Sequence, residues 1–67
     1  MTYMSFHLSI IPPTESSEPG FYYCSLVFGP DYERKYGRYA RSAQMAMAFT
    51  LDDMANDLKQ KARADNG

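Results

Sequence analysis

Tryptophan is absent from this chain, and cysteine and histidine each occur once. A lone cysteine, Cys24, excludes an internal disulfide. With His7 as the single imidazole, a zinc site lacks its usual nitrogen and sulfur ligands. No apolar run approaches the ~18 residues that a membrane span requires. The first residues hold no basic segment leading into an apolar stretch, so no secretory signal is expected. Neither sign of charge dominates: seven basic residues meet eight acidic ones, for a net charge of −1. That balance excludes a strongly basic nucleic-acid binder and an acidic mimic of DNA. Cysteine scarcity fits a reducing compartment.

The 67 residues have room for one domain. A domain this short buries only about 60% of the surface its unfolded chain exposes. Such scaffolds are commonly stapled by a disulfide, a metal or a second subunit. The first two are excluded here, so dense packing or self-association must stabilise the fold. No cofactor is expected.

Period-two alternation marks the first element. Met4, Phe6, Leu8 and Ile10 face one way, and Tyr3, Ser5, His7 and Ser9 the other. The spacing predicts a strand over about 3–11, ended by Pro12 and Pro13. A polar loop follows over 12–20, with turn formers at both ends. A second strand is expected over about 21–28, with Tyr22, Cys24, Leu26 and Phe28 on one face. Its other face carries Phe21, Tyr23, Ser25 and Val27, so both sides are apolar, unlike a strand wet on one side. Gly29, Pro30 and Asp31 make a turn, and Gly37 marks a bend or bulge.

Residues 38–49 carry two signals. Alanine, glutamine and methionine favour a helix by propensity. The alternation of Met45, Met47 and Phe49 with Gln44, Ala46 and Ala48 favours a strand, and a third strand over about 38–49 is the expectation taken. Thr50 then reads as an N-cap with Asp53 three residues on, and Phe49 and Met54 as the staple over it. Leu51, Met54, Ala55, Leu58 and Ala62 form one apolar stripe. Lys59, Lys61 and Arg63 lie near the negative end of the dipole. These signals predict a helix over about 51–64. The expected fold is α+β: a three-stranded antiparallel sheet followed by one C-terminal helix.

One helix covers one sheet face. The uncovered face would hold Tyr3, His7, Phe21, Tyr23 and Val27, and large apolar surface marks a contact site. Arg34, Lys35, Arg38 and Arg41 alternate with Tyr36 and Tyr39 in the next segment, where cations steer an encounter. Phe21, Tyr23, Arg34, Lys35, Tyr36, Arg38, Tyr39 and Arg41 are therefore the candidate partner-binding residues. Self-association through the open face is a further expectation. Cys24 reads as a small buried hydrophobe, and His7 as hydrogen-bonded or exposed. Asp52 and Asp53 serve as helix caps, and no nucleophile is paired with a base. No enzymatic activity, metal or membrane contact is expected.

Three family resemblances follow from these elements. The order βββα is similar to the core of double-stranded-RNA-binding domains, which meet phosphates with basic residues at the start of the last helix. This chain carries Asp52 and Asp53 there instead, and the family's initial helix is absent. The segment Phe49–Ala55 resembles the strand-to-helix junction of HicB-type antitoxins. The stretch Ala43–Ala48 (AQMAMA) resembles an Ala/Met-rich stretch of a small type I-F anti-CRISPR family, and the short, slightly acidic, aromatic-rich chain resembles phage-encoded inhibitors of that kind. That resemblance assigns no residue a role. It implies a non-enzymatic inhibitor or regulator in the host cytoplasm, acting sterically on a larger protein or ribonucleoprotein complex. The alternative is a small RNA- or DNA-binding regulator using residues 34–41, where arginines neutralise phosphates and tyrosines stack on bases.

Overall fold

The computed structural model describes residues 5–66. Its elements run β1 (Ser5–Ile11), β2 (Tyr22–Gly29), β3 (Arg34–Ala40) and α1 (Ala43–Asn66). The fold is α+β: an open antiparallel sheet in the order β1-β2-β3, followed by one helix. Tyr3 and Met4, expected within the first strand, lie outside the described residues.

Register follows from the alternation. Leu8 pairs with Leu26, and Leu26 with Tyr36. One face therefore carries the rows Phe6–Phe28–Arg34, Leu8–Leu26–Tyr36 and Ile10–Cys24–Arg38. The other carries His7–Val27–Lys35, Ser9–Ser25–Gly37 and Ile11–Tyr23–Tyr39. Helix α1 packs on the first face, chiefly over β2 and β3. The buried apolar core among the described residues is small: Cys24, Leu26, Ala40 and Ala46. Leu8 and Tyr22 pack against it. Cys24 is thus the buried hydrophobe its position predicts.

Two boundaries differ from the expectation. The third strand lies at Arg34–Ala40, not 38–49, and the helix begins at Ala43, eight residues before Leu51. Ser42 supplies the cap: its Oγ accepts from the Met45 N–H at 3.1 Å and its carbonyl from the Ala46 N–H at 3.0 Å. Thr50 is fully buried within the helix, and its hydroxyl donates to the Ala46 carbonyl at 2.8 Å. The large–small alternation is real but belongs to a helix. Ala46 and Thr50, four residues apart, face the sheet, and small side chains there let the helix approach closely. Met45, Met47 and Phe49 are left exposed. Asp52 and Asp53 accordingly sit in mid-helix rather than at a cap.

Twenty-four helical residues span about 36 Å, against about 23 Å for a seven-residue strand. The helix overhangs the sheet, and residues 59–64 are exposed. No described helix is long and apolar enough to cross a membrane.

Two glycines have a structural cause. Gly29 has φ +115°, and a Cβ there would meet the Glu33 carboxylate. Glu33 Oε2 accepts from the Asp31 N–H at 3.0 Å, closing the β2–β3 turn. Gly37 is not a bulge: it pairs regularly with Ser25, and its missing Cβ makes room for the Tyr23 ring.

Candidate partner-binding surface

Strand periodicity divides the basic-aromatic segment. Arg34, Tyr36 and Arg38 share the helix-side face of β3, while Lys35 and Tyr39 share the open face. On the helix side, two aspartates one helical turn apart meet the arginines. Arg38 grips Asp53 in a fork, Nε to Oδ2 at 2.6 Å and Nη2 to Oδ1 at 3.1 Å. Asp57 Oδ2 accepts from Arg34 Nη1 at 2.9 Å and from the Tyr36 hydroxyl at 2.6 Å. These contacts dock α1 on β3. The cations Arg34 and Arg38 are therefore neutralised within the chain.

These pairs also set an acid sensitivity. The Arg38 hydrogen bond holds the Asp53 carboxyl below its ordinary 3.8. Asp57 is lowered likewise, first by the Tyr36 hydroxyl and then by Arg34. Burial, reinforced by donation to Asp57, pushes the Tyr36 phenol above its ordinary 10.0. Both carboxyls release their protons more readily in the fold than in the unfolded chain. Their stabilising contribution is thus complete above pH 3.8 and is lost as pH falls through the lower folded-state values. Thermal melts should show a decline in melting temperature below that pH. The double variant Asp53→Asn/Asp57→Asn should melt lower at neutral pH and show a shallower decline in acid. An equally steep decline in the variant would exclude these pairs as its source. The effect is modest, because the pairs are solvent-exposed.

Four of the other five candidates assemble at one end of the open face. Tyr23 and Tyr39, opposite each other across β2 and β3, stack with centroids 4.6 Å apart and planes tilted 47°. One step along, the Arg41 guanidinium lies over the Phe21 ring, 4.6 Å from its centroid. The loop between β1 and β2 folds against this end. The Glu15 and Ser16 N–H groups both donate to the Pro12 carbonyl at 3.0 Å. Ser16 Oγ lies 2.7 Å from the Phe21 carbonyl, and Ser17 Oγ 2.6 Å from the Tyr39 hydroxyl. Loop and strands enclose an open cleft of about 420 Å³, lined by Ile11, Glu15, Ser16, Ser17, Tyr23 and Tyr39.

Loop folding gives the cleft walls that sequence reasoning missed, Glu15, Ser16 and Ser17. Their signal was the Pro12-Pro13 stop, after which the chain turns at Pro12 and reaches Phe21 and Tyr39. Lys35 lies at the far end of the same face, beside Val27 and His7. Phe21, Tyr23 and Val27 are half-buried, not fully open as expected. His7 is exposed, with Nε2 3.1 Å from Ser9 Oγ. Among the described residues no carboxylate is bonded to that imidazole, so no relay is assembled. Nor do the described residues contain a group of three potential metal ligands.

No family model, curated protein or solved structure compared with the chain matches it.

Proposed function

We propose that this chain is a non-enzymatic protein-binding module that inhibits or regulates a larger macromolecular complex by occupying one of its surfaces. The observation carrying this reading is the aromatic end of the open face. There the Tyr23–Tyr39 stack, the Arg41–Phe21 pair and the cleft beside them stand on a sheet face without a helix. Tyrosine and arginine dominate the energetic centres of protein interfaces. The strands hold these groups in place, so little ordering entropy is lost on contact. An inhibitor of the anti-CRISPR type, acting in a phage-infected cell, is the narrower form of this reading. Its support is small size, slight acidity and richness in aromatic residues.

Nucleic acid is the lesser alternative, because Arg34 and Arg38 are committed to Asp57 and Asp53. A phosphate-binding surface would lose affinity with a log–log salt slope near −0.9 per duplex phosphate neutralised.

The test has two arms. A CRISPR-immune host expressing the chain should be plated with its targeted phage, and gel shifts run with random duplex and single-stranded probes at low salt. Plaquing should rise at least tenfold with the wild type and return to background with Tyr39→Ala/Arg41→Glu, folded by circular dichroism. No rise against any CRISPR type removes the narrower reading. Salt-sensitive gel shifts abolished by Arg41→Glu would replace the protein-binding reading with the alternative.

A further inference from the structure

We propose that two copies of this chain associate through β1, forming a continuous six-stranded sheet about a two-fold axis at Leu8. This surface meets the aromatic end of the open face only at Ile11, and its test does not depend on that reading.

The sheet has two edges, and they are built differently. The β3 edge carries Arg34, Lys35 and Arg38, charges that discourage strand addition. The β1 edge, Ser5–Ile11, reads SFHLSII. It has no lysine, arginine, carboxylate, proline or glycine to block an incoming strand.

Above that edge lies unpartnered apolar surface. α1 lies chiefly over β2 and β3, and on the helix side of β1 Phe6 is 53% exposed and Ile10 36% exposed. The helix presents a matching flank. Asp53 and Asp57 hold one side of α1 to β3. At 100° per residue, Met47, Leu51, Met54 and Leu58 lie about 110° around the helix from those aspartates, on the flank toward β1. Met47 is 37% exposed and the other three are half-buried. Strand floor and helix wall make an apolar groove, open toward the β1 edge.

A second copy fits that edge because β1 is complementary to itself. Antiparallel pairing about Leu8 sets Phe6 opposite Ile10 of the second copy, and Leu8 opposite its own counterpart. On the reverse face His7 meets Ser9. Every helix-side pair is apolar, and no like charges meet. The two-fold axis runs through the sheet, so both helices fall on the same side. They stand about 19 Å apart, from a strand spacing of ~4.8 Å, whereas helices in contact stand about 8–10 Å apart. The Phe6, Leu8 and Ile10 side chains of both copies fill that interval between the two Met–Leu flanks. The union gives a domain whose described residues bury four apolar side chains a shared second core. A standard interface of ~800 Å² per partner is about one sixth of the chain's 4946 Å² surface.

Sedimentation equilibrium of the full chain at 10–500 µM tests this, with circular dichroism to confirm folding. The wild type should approach twice the 7.7 kDa chain mass, and its thermal midpoint should rise with concentration. Phe6→Glu and Ile10→Lys alter exposed positions and should each yield folded monomers, with dissociation constants raised at least tenfold. The double variant Phe6→Glu/Ile10→Lys should associate again, because each acid then faces a lysine across the axis. A wild type that stays monomeric throughout overturns the proposal, as does a dimer that the single variants leave intact. Loss in both single variants without recovery in the double variant overturns the pairing about Leu8.

Discussion

Leu26→Ala is expected to remove most or all of the cooperative folding of this protein. Leu26 is the largest side chain fully buried in the described structure, at 0% exposure. It stands in the middle row of the central strand, between Leu8 and Tyr36, with α1 above it. Truncating a buried leucine costs about 2–5 kcal/mol, the lost transfer energy plus the cavity left behind. At the usual ~0.05–0.15 kcal/mol per residue, a chain of this length holds only about 3–10 kcal/mol in total. The truncation therefore takes a large fraction of the stability. A melt followed at 222 nm should show a midpoint lowered by about 10–25 °C, or no cooperative transition. Leu26→Met, which conserves volume, should cost under about 1.5 kcal/mol. Equal melting of the alanine variant and the wild type would mean that Leu26 is not the centre of the core.

Ala46→Leu should have an effect nearly as large, from the opposite cause. Ala46 is fully buried where the helix meets the sheet, one turn before the buried Thr50. The closeness of α1 to β2 and β3 depends on small side chains at these two positions. Leucine is a good helix former, so propensity alone predicts little change. Its three additional carbons must instead lift the helix or displace Cys24 and Ala40, which pack against Ala46. Overpacking of this kind costs about 1–3 kcal/mol. It would also pull Asp53 and Asp57 away from Arg38 and Arg34. Urea unfolding should show a midpoint lowered in proportion, and Ala48→Leu, on the exposed side of the same turn, should leave it unchanged. If the two variants melted alike, Ala46 would not lie at the helix–sheet contact. A strand over 38–49 would put positions 46 and 48 on one face, so the contrast also separates the two readings of this segment.

The acid pairs and the open face show how fold and site came to be partly legible. In β1 and β2 the period of two is carried by large apolar residues, and both strands lie close to where the alternation puts them. The polar β3 conceals the same period, because Arg34, Tyr36 and Arg38 face the helix although none is apolar. Their charge is accepted there because aspartates at 53 and 57 answer it. Read without that alternation, the four cations look like one patch. Tertiary structure divides them: Arg34 and Arg38 to the helix, Lys35 and Arg41 to the open side. Phe21, Tyr23 and Tyr39 do converge as aromatic surface, but the 12–20 loop folds against their end of the sheet.

Local chemistry by itself determined the number, order and type of elements and the turn at Gly29. Each follows from interactions within a few residues: pleat alternation, proline stops, and a glycine at positive φ. Where the helix starts, which face of it is inward, and what the arginines touch were decided by tertiary structure. Those outcomes depend on which small residues allow two backbones to approach. Ala46 and Thr50 acquire that role only when a sheet lies beneath them.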